Sequence, residues 1–578
     1  MVALHHFGGI PEATDLQMLA TRRSALWNVP TDSEVVLSRR ARFTCGMHPR
    51  FTAISAFLLL FTAVLSAAER PNIVLILADD IGYGDLGCYG AKHAKTPHLN
   101  RLAREGCRFT DAHSPASTCT PTRRALLTGV YSWRQRPASG ILPGDAPLGI
   151  QPGTVTLPTL LKRAGYHTGI VGKWHLGLGG PMNNDGTGSK PDWNGEIKPG
   201  PLELGFDSSF IMAATGDRVP TVYVEGHRVV GLDLSDPIAV NYKEKLGQEP
   251  TGKENPEQLK LRHTHGHDMT IVNGVGRIGW MTGGKAARWR DQDMADTFAK
   301  RAVEFIDRAA TKRDTPFFLL LATHGIHVPR VPHERFNGAS GHGTRADAIQ
   351  ELDDSVGQVL GALERARMLN DTLILFTSDN GGVMDDGYED FEPGGYRMNG
   401  ALRGTKGGLF EGGHRVPFLA RWPGHIRAGS ENAALIAHLD LPATFAALTG
   451  VPVPADACRD SVNVLPALLG RSPTARQQFI AHVGGVQWPV AIRQGAWKYI
   501  QPGGGAAGYG TNAPAAKPNT KGFLFNLADD PAEENNLVDA HPEKLAELQT
   551  MLTKADAPPP RTPPGRNSTE APTKPKAP

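Results

Sequence analysis

The sequence predicts an α/β protein: a large, mostly parallel mixed sheet flanked by helices, then a small C-terminal antiparallel sheet with a helix. Three observations carry this. Four continuous apolar runs read as strands buried on both faces, amphipathic stretches separate them, and each run ends on polar residues with chemistry to offer. The runs are Asn72-Ile-Val-Leu-Ile-Leu-Ala78, His167-Thr-Gly-Ile-Val-Gly172, Phe317-Phe-Leu-Leu-Leu-Ala322 and Thr372-Leu-Ile-Leu-Phe-Thr377. Helices are expected over residues 99–107, 156–164, 295–309 and 345–369, between or beside those strands.

Composition agrees with a globular chain. At 578 residues, with 40% hydrophobic and 21% charged, the protein can bury a sizeable core, which excludes disordered, collagen-like and polytopic membrane classes. A net charge of +3 argues against broad electrostatic capture of nucleic acid, so no such partner is expected.

Taken in order, residues 1–46 are mixed in charge, lack periodicity and read as an over-extended N-terminus. Residues 47–68 read as a signal peptide: a basic start at Met47-His-Pro-Arg50, an apolar stretch, then Ser66-Ala67-Ala68 before a cleavage point. The mature chain is therefore expected to have no integral membrane domain and to work in the periplasm or as a secreted protein. A catalytic domain is expected over 69–450 and a C-terminal subdomain over 451–556. Within the subdomain, residues 490–500 and 522–527 are strand-like, 502–518 is rich in Gly, Ala and Pro, and a helix is expected near 543–552. The tail 557–578 is rich in Pro, Lys and Thr and reads as disordered.

Five cysteines occur, Cys45, Cys88, Cys107, Cys119 and Cys458, with no Cys-x-x-Cys or Cys/His finger spacing, so no structural zinc site is expected. Among Cys88, Cys107 and Cys458 a disulfide is compatible with the sequence and not required by it.

Ligands of parallel sheets bind beyond the carboxyl ends of the strands. There the four runs end in Asp79-Asp80, Lys173-Trp-His175, His324-Gly-Ile-His327 and Asp379-Asn380, which together point to one shared site. Asp79, Asp80, Asp379 and Asn380 are hard oxygen ligands suited to Ca²⁺ or Mg²⁺. In Cys119-Thr-Pro121-Thr-Arg123, Pro121 suits a first helical turn, placing Cys119 near a helix N-terminus beside a cation, a setting that attracts an anion. Taken alone, Cys119 reads either as a reactive thiolate or as a buried structural cysteine. A cysteine-phosphatase loop fails on spacing, because position 125 is Ala.

The long stretch 181–294 carries Thr215-Gly-Asp217-Arg218 and His263-Thr-His265-Gly-His267. It reads as a substrate-facing insertion, with Asp217, Arg218, His265, His267 and, from the third strand end, His324 as candidate substrate contacts. The alternating histidines fit a sugar pocket or a loop network better than a second metal. His414 is assigned no role.

These motifs resemble the type I, formylglycine-dependent sulfatases of the alkaline phosphatase superfamily. The resemblance rests on Cys119-Thr-Pro121-Thr-Arg123 with its downstream Ala125-Leu-Leu-Thr-Gly129, on Pro71 to Asp80, Gly165 to His175, His327-Val-Pro329, Ser378-Asp-Asn-Gly-Gly382 and Gly404 to Gly413, in that order over about residues 70 to 550. Thr122 departs from the Ser or Ala more frequent in the family.

The resemblance implies that Cys119 is oxidised to formylglycine by a maturation enzyme. Asp79, Asp80, Asp379 and Asn380, with residue 119, would bind one calcium ion, magnesium being the alternative. The hydrated aldehyde would attack sulfur and leave a sulfated hemiacetal that collapses to release sulfate. Arg123 and Lys173 would hold the hydrate and the sulfate oxygens, His175 would assist deprotonation, and His327 with Lys406 would protonate the leaving oxygen. The expected substrate is a sulfated carbohydrate, and the insertion resembles that of N-acetylgalactosamine-6-sulfatases. A phosphonate or phosphate ester hydrolase on the same scaffold and a non-catalytic glycan-binding protein are the alternatives.

Overall fold

A computed structural model of the chain describes residues 70–136, 140–390, 396–484, 489–505, 508–509 and 519–557. The readings for residues 1–46, the signal segment 47–68 and the tail from 558 onward lie outside the described residues.

The main sheet contains β1 (Asn72–Ala78), β2 (Cys107–Phe109), β3 (His167–Lys173), β4 (Ser208–Met212), β5 (Tyr223–Glu225), β6 (Arg228–Val229), β7 (Phe317–Ala322), β8 (Thr372–Ser378), β9 (Phe418–Arg421) and β10 (Ser430–Asn432). Their spatial order is β10-β2-β9-β8-β1-β7-β3-β4-β5-β6. The five central strands, β8 to β4 in that order, run parallel, while β9 and β5 are antiparallel to their inner neighbours. All seven residues of β1 are buried, as its unbroken apolar run requires of a strand covered on both faces.

Successive side chains point to opposite faces, and the core divides accordingly. Ile73, Leu75 and Leu77 join one cluster with Phe318, Leu320, Leu373 and Leu375. That cluster includes Leu126 and Leu127 of α2 (Cys119–Thr128), Leu157 and Leu161 of α3 (Leu157–Arg163), and Phe445 of α6 (Leu441–Thr449). Val74 and Ile76 face the other side. There they meet Leu99 and Leu102 of α1 (Pro97–Glu105), Phe298 and Ile306 of α4 (Met294–Ala310), and Ile349, Val356 and Leu363 of α5 (Thr344–Arg365).

The stretch 181–294 differs from the expectation of a wholly substrate-facing insertion. Its β4 pairs parallel with β3 and β5 and β6 extend the sheet edge, so part of it is scaffold. The strands are two to five residues long and their pairing partners are remote, which hides them from local periodicity.

The C-terminal sheet has four antiparallel strands, β11 (Gln478–His482), β12 (Val490–Gln494), β13 (Trp497–Ile500) and β14 (Phe523–Asn526), in sequence order. The run 490–500 is a hairpin turning at Gly495, whose φ is 56°. Leu548 and Leu552 of α7 (Pro542–Lys554) belong to the core under this sheet. Strand β11, not expected from the sequence, ties back to the segment ahead of α2: His482 N donates to Pro115 O and Ser117 N to His482 O. Among the described residues no helix is long and apolar enough to cross a membrane, and Cys88, Cys107, Cys119 and Cys458 are free thiols.

Candidate active site

The carboxyl ends of β1 and β8 lie side by side, with Ala78 in register with Ser378. This places Asp79-Asp80 against Asp379-Asn380, all four fully buried. Asp80 adopts a left-handed φ of 61°, which aspartate tolerates. The Ser378 hydroxyl fastens the two loops, accepting from Ile81 N at 3.0 Å and donating to Asn380 O at 2.9 Å.

Cys119 is the first residue of α2. Thr118 supplies the extended N-cap, Pro121 sits in the first turn, and Gly129 closes the helix with φ 66°. All ten residues of α2 are buried, and the thiol lines a cavity of about 620 Å³. Burial pushes the Cys119 thiol above its usual range, against the smaller opposite pull of Lys173 and Lys406.

Three cations interlock with three of the carboxylates. Arg123, one turn into α2, places Nε 2.9 Å from Asp379 Oδ2 and donates through a terminal nitrogen to Lys173 O at 2.9 Å. Lys173, the last residue of β3, donates to Asp79 Oδ2 at 2.5 Å. At the position before it, a Cβ on Gly172 would lie 1.9 Å from Ala322 O, so only glycine lets β3 end this close to β7. Lys406 donates to Asp80 Oδ2 at 3.0 Å and Asp386 Oδ2 at 2.7 Å. Burial works against the Lys406 ammonium, yet Asp386 and Asp80 hold its pKa well above the ordinary value.

With one oxygen of Asp79 and of Asp379 engaged by cations, Oδ1 of Asp79, of Asp379 and of Asn380 are buried without a hydrogen-bond partner. Orphaned buried acceptors are costly. Burial and the adjacent Asp379 push the Asp79 carboxyl well above its usual pKa despite Lys173. Ligand atoms of Asp79, Asp80 and His327 also lie within 4.8 Å of one another. This all-oxygen set, with one imidazole at its edge, fits a hard divalent cation.

Two histidines complete the centre. His175 Nε2 lies 2.9 Å from Leu142 O, leaving a buried Nδ1 without a partner, and the Thr120 hydroxyl donates to its carbonyl at 3.0 Å. His327 Nδ1 sits 2.7 Å from Val328 O, and its Nε2 is 3.9 Å from Asp80 Oδ2 and 3.8 Å from Asp386 Oδ2. Burial, reinforced by Lys173 at His175 and by Lys406 then Lys173 at His327, holds both imidazoles well below their usual pKa.

Of the residues read as substrate contacts, Asp217, Arg218, His265 and His267 line the same cavity as Cys119, His327 and Lys406. Asp217 joins Arg218 at 3.0 Å and His267 Nε2 at 3.0 Å, and these partners outweigh burial to hold its carboxyl well below the usual range. His324 is placed otherwise: it lines a smaller neighbouring cavity, and its Nε2 accepts from Gly216 N at 3.1 Å, bracing the loop that carries Asp217.

Three residues escaped the sequence reading. Asp386 lies in a turn-like Asp-Asp-Gly and binds Lys406. Arg345 reaches from α5 to Asp85 Oδ2 at 2.6 Å and Asp80 O at 3.1 Å, fixing the loop that carries Asp79 and Asp80. Tyr509 and glycines of the C-terminal subdomain form one wall of the cavity. None carried a local signal beyond ordinary helix or turn chemistry.

The sulfatase family profile matches residues 71–451. The chain belongs to the sulfatase family. This sulfatase is 46% identical over 496 residues to an N-acetylgalactosamine-6-O-sulfatase of Bacteroides thetaiotaomicron, covering 84% of this chain and 93% of the relative. It is 33% identical over 524 residues to human arylsulfatase A, covering 86% and 90%. A solved structure from the glycosaminoglycan metabolism of Bacteroides thetaiotaomicron superposes with a TM-score of 0.78 at 44% identity, covering 84% of this sulfatase and 99% of that chain. A protein crystallised with a neocarrahexaose superposes at 0.60 with 25% identity, covering 86% and 94%. The sulfatase is accordingly a sulfuric ester hydrolase, and its family uses a metal ion and formylglycine.

Proposed function

We propose that this sulfatase removes the 6-O-sulfate of N-acetylgalactosamine units in a sulfated glycan, outside the cytosol. The observation that carries the substrate is the 46% identity over 496 residues to the N-acetylgalactosamine-6-O-sulfatase. Export is supported by the signal-like sequence of residues 47–68.

Asp79, Asp80, Asp379, Asn380 and residue 119 would hold a divalent cation, calcium by our reading, which would supply Lewis-acid activation. Position 119, oxidised to formylglycine by a maturation enzyme, supplies a hydrated aldehyde as nucleophile. The thiol itself suits this role poorly, because burial keeps it protonated.

Arg123 and Lys173, already fixed by Asp379 and Asp79, offset negative charge growing at the sulfate without reorganisation. His175 Nδ1, unprotonated and unpartnered, accepts the proton released at position 119. Lys406 retains its proton and delivers it to the departing sugar oxygen, with the neutral His327 held near the same Asp386 carboxylate to assist. A sugar alkoxide is a poor leaving group, so this step is worth roughly 10²–10⁴-fold.

Sulfate release from 6-sulfated N-acetylgalactosamine, its 4-sulfated isomer and a matched phosphate ester tests the reading. Preference for the 6-sulfate supports it. Faster turnover of the 4-sulfate or of the phosphate ester overturns it.

A further inference from the structure

The cavity is shared between two parts of the chain. Cys119, Arg218, Asp386 and Lys406 form one side, and Gly503, Gly504, Gly508 and Tyr509 form another. Tyr509 is held by its backbone on both flanks: its N donates to Lys406 O at 2.7 Å, and its carbonyl accepts from the Thr405 hydroxyl at 2.7 Å.

Glycines make this approach feasible. Gly508 has φ 110°, and a Cβ there would lie 2.3 Å from Thr405 Oγ1 and 2.6 Å from Lys406 O. A Cβ on Gly407 would lie 2.8–3.0 Å from three atoms of the Tyr509 ring, so the ring rests on bare backbone one residue past Lys406. Even so, 36% of Tyr509 stays exposed, making it one of three exposed large hydrophobic residues among those described; Leu234 and Val462, the others, do not line this cavity.

We propose that Tyr509 is a specificity-determining residue: its ring is the platform on which the sugar bearing the sulfate packs. This rests on the carbohydrate reading above. If Lys406 serves the bridging oxygen, the carbon bonded to that oxygen and the pyranose beyond it must emerge next to Lys406, where Tyr509 is anchored. A pyranose presents an apolar C–H face, and an aromatic wall with few polar groups orients such a ligand. The C-terminal subdomain thereby takes part in substrate choice.

The test is steady-state kinetics of matured Tyr509→Ala and Tyr509→Phe enzymes on 6-sulfated N-acetylgalactosamine. The platform predicts that Ala raises KM by about tenfold or more with kcat changed less than about threefold, while Phe keeps the wild-type KM. A fall in kcat at constant KM in both variants would mean that the residue acts only through Lys406, and would overturn the proposal. Wild-type parameters in the Ala variant would overturn it as well. Should the wild-type enzyme not desulfate this sugar, the substrate reading fails separately, and the same comparison on whichever monosaccharide sulfate the wild type does turn over decides the role of Tyr509.

Discussion

Lys173 and Asp79 meet as a fully buried ion pair, Nζ to Oδ2 at 2.5 Å, across the ends of β3 and β1 with β7 between them. Arg123 with Asp379 and Lys406 with Asp80 repeat the arrangement. Each cation orients one carboxylate. For Asp79 and Asp379 the second oxygen remains without a hydrogen-bond partner, pre-positioned for a cation.

Chelation is therefore expected to abolish sulfate release and to lower the melting temperature, with calcium restoring both. Magnesium restoring activity as well as calcium would show that the oxygen set does not discriminate between the two ions. Activity and calorimetry after exhaustive chelation check this.

Replacing Lys173 removes the partner of Asp79 and, on the proposed mechanism, a charge that stabilises the sulfate. Lys173→Met should lower kcat by about 10²–10³-fold. Its melting temperature should fall further in chelator than in calcium, because without Lys173 a bound cation would be the main counter-charge left to Asp79, with Arg123 no nearer than 3.9 Å.

If His327 assists Lys406 in protonating the leaving oxygen, as proposed, its removal should depend on the leaving group. His327→Ala should lose roughly 10²–10⁴-fold on a sugar sulfate and far less on 4-nitrophenyl sulfate, whose phenolate leaves without a proton. Equal losses on the two substrates would remove His327 from that step.

Glu351, on α5, has its carboxyl pushed from 4.5 up to about 7 by burial, with Asp296 and Asp354 adding to the shift and Arg335 opposing it. Between those two values the folded state holds a proton that the unfolded chain has released. The resulting stabilisation is complete below the unfolded pKa and is lost as pH rises through about 7. Glu351→Gln keeps the acceptor for His333 N and should match the wild-type melting temperature near pH 4, then exceed it near pH 8.

A second buried network ties the C-terminal sheet to the catalytic domain. Lys498 on β13 lies 2.9 Å from Glu411, 2.8 Å from Glu533 and 3.2 Å from His414 Nε2, while His113 and His414 face one another at 3.0 Å. Lys498→Met leaves Glu411 and Glu533 buried together and should cost about 3–5 kcal/mol, read as a lower urea midpoint.

How much of this was legible depended on the range of the signal. The run 72–78 showed itself as a strand because burial on both faces leaves no polar position until Asp79, and the break marks where the site begins. Pro121 disclosed the start of α2, and with it the placement of Cys119. Most of the residues singled out at the strand ends gather at one edge, because parallel strands deliver their carboxyl ends there, whereas His324 lines a neighbouring cavity and braces the loop that carries Asp217. What stayed hidden is contact between remote segments. Asp386 matters through Lys406, twenty residues on, and Arg345 through a loop 265 residues earlier. Tyr509 lies in a low-complexity stretch, and only the fold sets it beside Lys406. His414 was given no role, and its place in the network with Lys498 follows from β13 packing against residues 411–414.

The central claim is that residue 119 acts as formylglycine within a cation-binding sulfatase centre. The most direct test is the mass of the residue-119 peptide in protein isolated in its active form. The account predicts the mass of formylglycine or its hydrate, in a proportion that tracks specific activity. Full activity in protein whose Cys119 is entirely unmodified would contradict it.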